Sequence, residues 1–432
     1  MKIHIKNGRL IDPANGIDAQ KDVYIAAGRI VGIGDAPAGF VAARTIDATG
    51  LVVAPGLVDL SARLREPGYE YKATLESEMT AAMQGGVTSL VCPPDTDPVL
   101  DEPGLVEMLK HRARALNQAH VYPLGALTVG LNGKALTEMA ELTESGCIGF
   151  SQAEHPIEDT TVLMRAMQYA QTFGYSVWLR PQDPHLGSGG TAHSGPVASR
   201  LGLPGVPVIA ETIALHTIFE LMRTTGARVH LCRMSSAAGL DLVRAAKKEG
   251  LPVTCDVGVH HVHLIDVDIG FFDSNARVTP PFRSQRDRDA IRQALADGTI
   301  DAICSDHTPV DDDEKLLPFG EASPGATGLE LLLSLVVKWA DESGGADALA
   351  KAVAKVTSDA ARAAGLNAAG NLSVGSIADI CIFDPAARWK VDASLLASQG
   401  KHTPFLGYEV GGQVKTTIVS GHVAYERKIA HA

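Results

Sequence analysis

The side chains best equipped for chemistry in this 432-residue chain directly follow apolar, strand-like runs. Ser61-Ala62-Arg63-Leu64-Arg65-Glu66 follows Leu57–Leu60, Arg180 follows Ser176–Leu179, Arg233 follows Arg228–Cys232, and Ser305-Asp306-His307 follows Asp301–Cys304. Serine is a poor ligand for a divalent cation. A guanidinium is permanently protonated and offers no acceptor, so it cannot be a ligand at all. Arginines instead pair with carboxylates, or grip a phosphate or dicarboxylate through their planar fork.

The histidines His260, His261 and His263 are the other candidates for metal chemistry. If their segment stays extended, His261 and His263 share a face and, with Asp306 or His307, make a place for an adventitious ion. The run Asp311-Asp312-Asp313-Glu314 reads as a solvated loop, because consecutive carboxylates on a flexible loop diverge. No Gly-x-Ser-x-Gly elbow precedes a helix, and no glycine-rich phosphate fingerprint follows a strand.

The elements that must position these groups show in the hydrophobic periodicity. Eight strand-like runs (Leu57–Leu60, Thr88–Cys92, Val121–Leu127, Ile148–Ser151, Ser176–Leu179, Arg228–Cys232, Val253–Val257 and Asp301–Cys304) alternate with helical patterns. Leu75, Met79 and Met83 recur at helical spacing before Gly85-Gly86, and Val162, Ala166, Tyr169 and Phe173 recur before Gly174. Eight such units in residues 55–370 predict a (β/α)8 barrel, whose sites lie at the C-terminal ends of the strands. The long segments Asp183–Pro207 and Ser305–Thr327 follow barrel strands and belong on that face. Residues 1–54 and 371–432 read as short strands and tight turns, so a small β-sandwich built from both termini is expected. Within it, Asn7-Gly8 is the strongest short hairpin signal, between Lys2–Lys6 and Arg9–Ile11.

Composition narrows the function. Charged residues at 20% and hydrophobic residues at 45% are ordinary globular values. A net charge of −12 with no dense Lys/Arg stripe argues against nucleic acid and anionic membranes as main partners. Six scattered cysteines without a Cys-x-x-Cys pair read as reduced thiols. No signal-peptide pattern opens the chain, so a cytoplasmic protein is expected.

The chain resembles dihydroorotase, of the amidohydrolase superfamily, over nearly its whole length. The resemblance rests on Leu64-Arg65-Glu66-Pro67-Gly68, Gly85-Gly86-Val87-Thr88, Arg200-Leu201-Gly202-Leu203-Pro204-Gly205-Val206-Pro207, Pro280-Pro281-Phe282-Arg283, Asp297-Gly298-Thr299-Ile300-Asp301 and Ser305-Asp306-His307-Thr308-Pro309. Active members hold one or two zinc ions at the strand ends. The metal lowers the pKa of bound water from about 16 to about 7 and polarises the ring amide of the substrate.

Carried over position by position, the resemblance puts Ser61 and Arg63 where the first two ligands stand and Gln152 where a bridging carboxylate stands. Arg180 and Arg233 fall at the next two histidine positions. Only Asp306 is retained. Arg65 matches the arginine that binds the substrate carboxylate, but its asparagine companion reads Asp95, which would repel an anion. The resemblance therefore implies a dihydroorotase-like pseudoenzyme with no metal cofactor. It would act as a structural partner of aspartate transcarbamoylase subunits in pyrimidine biosynthesis, and as a homo-oligomer within that complex. Two alternatives stay open: an active, zinc-dependent cyclic amidase, and an anion sensor.

Arg63, Arg65, Arg180 and Arg233 should all point into the barrel mouth. Two unit charges about 6 Å apart at an effective dielectric near 20 repel by roughly 3 kcal/mol. Such a cluster needs counter-ions, which Asp306, Asp95 or Glu66 could supply.

Overall fold

The computed structural model describes residues 1–427; the end of the terminal segment, residues 428–432, lies outside the described residues. Eight parallel strands form the barrel: Leu57–Asp59, Val87–Cys92, His120–Pro123, Phe150–Ser151, Ser176–Leu179, Arg228–Leu231, Val253–Gly258 and Ala302–Cys304. Hydrogen bonding runs through consecutive members. The third strand breaks at Leu124 and resumes as Gly125–Ala126, which pairs with the fourth. All eight expected runs are strands, with ends shifted by a few residues.

The helices begin and end where capping chemistry sets them. Thr74 accepts from the Ser77 amide at 3.2 Å to start Leu75–Gln84, and Asp159 accepts from the Thr161 amide at 2.8 Å to start Thr160–Phe173. Gly174, with φ of 72°, terminates the second of these.

Two sheets make the terminal sandwich. One has the order Arg29–Ile33, Val23–Ala26, Ile3–Lys6, Arg44–Asp47. The other runs His422–Glu426, Glu409–Val419, Ile380–Lys390, Val52–Pro55, Arg9–Asp12, Ile17–Gln20. Strand alternation divides the core cleanly. Ile380, Ile382 and Val53 face the sandwich interior, while Cys381, Phe383, Val52 and Ala54 join the barrel core. This sheet is covered on both faces, which explains its unbroken apolar runs.

The expected hairpin at Asn7-Gly8 does not form. Ile3–Lys6 pairs with Val23–Ala26 and Arg44–Asp47, whereas Arg9–Asp12 pairs with Ile17–Gln20 and Val52–Pro55. The dipeptide carries the chain from one sheet to the other. Asn7 takes φ of 65°, and a Cβ at Gly8 would meet Val53 Cγ2 at 2.6 Å. The local turn signal is real, but packing against Val53 decides where it leads.

Polar side chains close the barrel between its first and last strands. Asp59, fully buried, accepts from the backbone amides of Ser305 at 2.8 Å and Ser61 at 3.3 Å and from the Ser305 hydroxyl. The His307 amide donates to Ser61 O at 3.1 Å, and the Arg63 amide donates to His307 O at 2.9 Å. His307 is itself pinned. Its Nδ1 accepts from the Gly328 amide at 3.1 Å, so the opposite nitrogen carries the proton and donates to Glu78. Glu78, on helix Leu75–Gln84, also accepts from Ser398 Oγ at 2.7 Å and the Gln399 amide at 3.0 Å. One buried carboxylate thereby ties the last barrel strand, the first helix and the segment before the final strands.

Glu78→Ala strands the His307 N–H and the Ser398 and Gln399 donors in a dry site. Urea unfolding should show a loss of about 3–5 kcal/mol.

Candidate functional site

A cavity of about 320 Å³ opens at the C-terminal end of the barrel, and Arg63, Arg65, Arg180 and Arg233 all line it. At the centre of three of them stands a carboxylate outside the expected set, Glu154. It accepts from Arg63 Nη2 at 3.1 Å, from Arg180 Nε, and from Arg233 Nη2. Arg63 also donates to Asp95 at 2.8 Å and to Thr308 Oγ1 at 3.1 Å. Arg233 also donates to Asp306 at 3.1 Å and to Thr279 O at 3.2 Å. Three guanidiniums and three carboxylates thus form one knot across six strand ends.

The backbone helps to aim these groups. Arg65, Ala153, Arg233 and Asp306 all have positive φ, at 62°, 49°, 56° and 49°. Non-glycine residues adopt that region at a cost of order 1–3 kcal/mol each, and they concentrate where tight packing overrides local preference. The left-handed turn at Ala153 brings Glu154 into the mouth.

The charges are strongly coupled. Burial would raise the Glu154 carboxyl, but Arg180, Arg233 and Arg63 outweigh it and hold the group well below the usual carboxylate range, though 28% of its side chain is exposed. Burial and the nearby Glu154 charge leave Asp306 above its ordinary value, despite the pull of Arg233 and Arg63. Arg233 remains firmly protonated, because Glu154 and Asp306 more than offset its burial.

The counter-ions expected from sequence are partly corrected. Asp95 and Asp306 supply charge to Arg63 and Arg233, but Glu66 does not enter the mouth. It pairs with Arg112 and accepts from the Leu75 amide at 2.8 Å, serving the start of the first helix. Glu154 lies only two residues beyond Gln152, and a search for a displaced carboxylate near that position would have found it. Gln152 exchanges hydrogen bonds with Thr128 at 2.8 and 3.1 Å and does not line the cavity.

The donor set does not fit a zinc ion. Around the family's ligand positions stand Ser61, Gln152 and three guanidiniums, with Asp306 already paired to Arg233. The expectation for the later histidines is corrected too. Val259–Val262 is a 3-10 turn rather than an extended run, so His261 and His263 diverge. His263 reaches Leu335 O at 2.9 Å and His307 faces Glu78. His260 is the member near Asp306, at 3.5 Å. Burial pushes the His260 and His261 imidazoles down to about 3, so both are neutral.

Among the described residues, His230, Cys232 and Asp256 also converge. His230 already bonds Thr254 at 2.8 Å and Asp256 at 2.9 Å, and burial raises the Cys232 thiol well above its usual range. Those partners make it a packed polar cluster.

Part of the mouth is uncompensated. Six guanidiniums line the cavity, Arg277 and Arg283 being the additions, against the carboxylates of Asp95, Glu154, Glu211 and Asp306. Among the described residues Arg65 donates only to Pro309 O, at 2.9 Å, and burial together with Arg63 lowers it to about 10. The Arg277 Nε is buried without a hydrogen-bond partner among the described residues. The long segments close in from two sides, through Gly187, Gly190 and Val206 on one and Pro324, Gly325 and Ala326 on the other.

Comparison with known proteins adds an independent line. The family described as dihydro-orotase-like matches residues 50–238, and the amidohydrolase family matches residues 198–424. A dihydroorotase-like protein of Pseudomonas aeruginosa is 45% identical, with 99% of this chain and 100% of that one covered. A dihydroorotase of Geobacter metallireducens is 40% identical, with 99% and 100% covered. The L-hydantoinase of Arthrobacter aurescens has the same fold, with a TM-score of 0.87 over 99% of this chain and 96% of its own at 24% identity. No helix among the described residues is long and apolar enough to cross a membrane.

The knot sets a sign for acid stability. Because the folded Glu154 carboxyl lies below its ordinary 4.5, its contribution is fully present above that pH and is lost as the pH falls through the folded value. Glu154→Gln should cost about 3–5 kcal/mol, or about 3–5 °C in Tm for a chain this long. It should also flatten the acid limb of the melting profile; calorimetry across pH checks both.

Proposed function

The chain belongs to the dihydroorotase-like family of the amidohydrolase superfamily, and on that premise we propose that it is a catalytically inactive member. It serves in the cytoplasm as a structural subunit of aspartate transcarbamoylase in pyrimidine biosynthesis, as a homo-oligomer within that complex. One observation carries the reading. The strand ends that hold metal in active relatives are bound here by Glu154 to three guanidiniums. Hydrolysis of a ring amide needs an activated water and a polarised carbonyl. No group in the knot is free to act as a base: Glu154 is held ionised by three cations, and Asp306 is committed to Arg233.

The intact barrel then has its use outside the mouth. The relatives include proteins named dihydroorotase-like protein and proteins named dihydroorotase, so family membership alone leaves activity open. The mouth residues favour the inactive branch. An active zinc amidase would need ligands that Ser61, Arg63, Gln152, Arg180 and Arg233 do not offer.

Two measurements decide between these. Purified chain should hold no stoichiometric zinc and should not turn over dihydroorotate. It should also co-migrate with aspartate transcarbamoylase in gel filtration and raise that enzyme's assembly or activity. Near one equivalent of zinc with turnover would restore the hydrolase, and indifference to a transcarbamoylase that is active alone would remove the assembly role.

A second reading is favoured by the excess of two positive charges in the cavity and by Arg65 and Arg277, which lack carboxylate partners. Such a mouth suits a small anion bearing a carboxylate or phosphate. At a hundred times its Kd, a bound anion stabilises the fold by about 2.7 kcal/mol. Carbamoyl aspartate, orotate and phosphate should be screened by thermal shift. A rise of about 3 °C that Arg65→Ala and Arg277→Ala both abolish would support this reading; no rise with any of them would end it.

A further inference from the structure

Of the exposed large apolar side chains, Phe271 is the most open at 92%, and it sits beside Phe272 at 39%. Their rings meet edge to face with centroids 5.4 Å apart. A pair of aromatics on the surface loses the benefit of burial, and contiguous exposed apolar groups mark contact sites more often than single ones do. Chain flexibility does not account for the exposure, because the loop is fixed on both sides. Two 3-10 turns, Asp266–Ile269 and Ser274–Ala276, flank the pair, and the Asp273 amide returns to Ile269 O at 3.0 Å. Phe272 is itself held at φ of 62°.

A neighbouring loop is tied to this one. His402 bridges Asn275 at 3.1 Å and Asp312 at 2.8 Å, and the buried Lys315 ammonium donates to Arg277 O at 3.0 Å. Leu316, next to that lysine, is 77% exposed. Tyr408, also partly exposed, lies close enough to Asp268 and Asp273 for their charges to raise its hydroxyl pKa, after burial.

The exposed charge next to the pair is acidic. Asp268 and Asp273 flank it and Asp313 is exposed on the neighbouring loop, while Lys315 is buried and Arg277 lines the barrel mouth. Two copies meeting face to face here would set carboxylates against carboxylates, and an anionic membrane would be repelled equally. The occupant these features select is a different protein with an apolar pocket and a basic rim.

We propose that Phe271 and Phe272 form the anchor by which this chain docks such a partner. The assembly reading supplies the partner, aspartate transcarbamoylase, and this inference rests on that reading. A rigid aromatic anchor loses little entropy on binding, and anchors of this kind dominate interface energetics. The acidic rim steers encounter and makes it salt-dependent.

The test measures binding of the full-length chain to purified aspartate transcarbamoylase by surface plasmon resonance. Phe271→Ser removes only an exposed side chain, so its melting temperature should match the wild type. Its Kd should rise by roughly tenfold to hundredfold. Asp313→Lys should slow association and weaken its salt dependence. If wild type binds and both variants bind equally well, the docking surface is overturned while the assembly reading stands. If wild type does not bind, the assembly reading fails and the anchor falls with it. If Phe271→Ser instead converts an oligomer of this chain to a monomer, the occupant is a second copy and the partner class is wrong.

Discussion

A single carboxylate holds the barrel mouth together. Glu154 receives Arg63, Arg180 and Arg233, which come from three different strand ends and would repel one another without it. At separations near 6 Å each unscreened pair costs roughly 3 kcal/mol at an effective dielectric of about 20. Removing one partner from a buried network costs more than the network contributes net, so the arginines and their carboxylates are held as a set. Four residues around the mouth accept left-handed backbone, which shows how firmly the surrounding packing dictates their placement.

The knot can form only because the barrel beneath it is closed without a gap. Asp59 grips Ser305, backbone bonds join Ser61 and Arg63 to His307, and Glu78 fixes the His307 ring from the helix side. These contacts bring Arg63 from the first strand beside Asp306 from the last. The same frame in an active amidohydrolase would bring metal ligands together. Here it gathers guanidiniums around Glu154.

The mouth is not fully neutralised, and the outer surface is not fully covered. Arg65 and Arg277 retain unspent positive charge inside the cavity, while Phe271 and its acidic surroundings face solvent. Each is a place where the isolated chain leaves an interaction incomplete.

Much was legible in the residues alone. Period-two and helical patterns gave eight barrel strands and a sandwich from both termini, because burial of apolar faces leaves a local trace in sequence. The identities of Arg63, Arg180 and Arg233 excluded metal ligation at those positions, because a guanidinium has no lone pair to donate whatever its surroundings. Sequence could not assign partners across the fold. Asn7-Gly8 reads as a hairpin, yet the contact with Val53 sends its strands into separate sheets. Glu66 stands three residues from Arg63 but serves a helix, and Glu154, 91 residues away, joins Asp95 as its counter-ion. His261 and His263 separate because one 3-10 turn replaces an extended run. Residue type and periodicity act over a few bonds and are written in the chain. Charge pairing acts through space, and only closure of the barrel set those charges face to face.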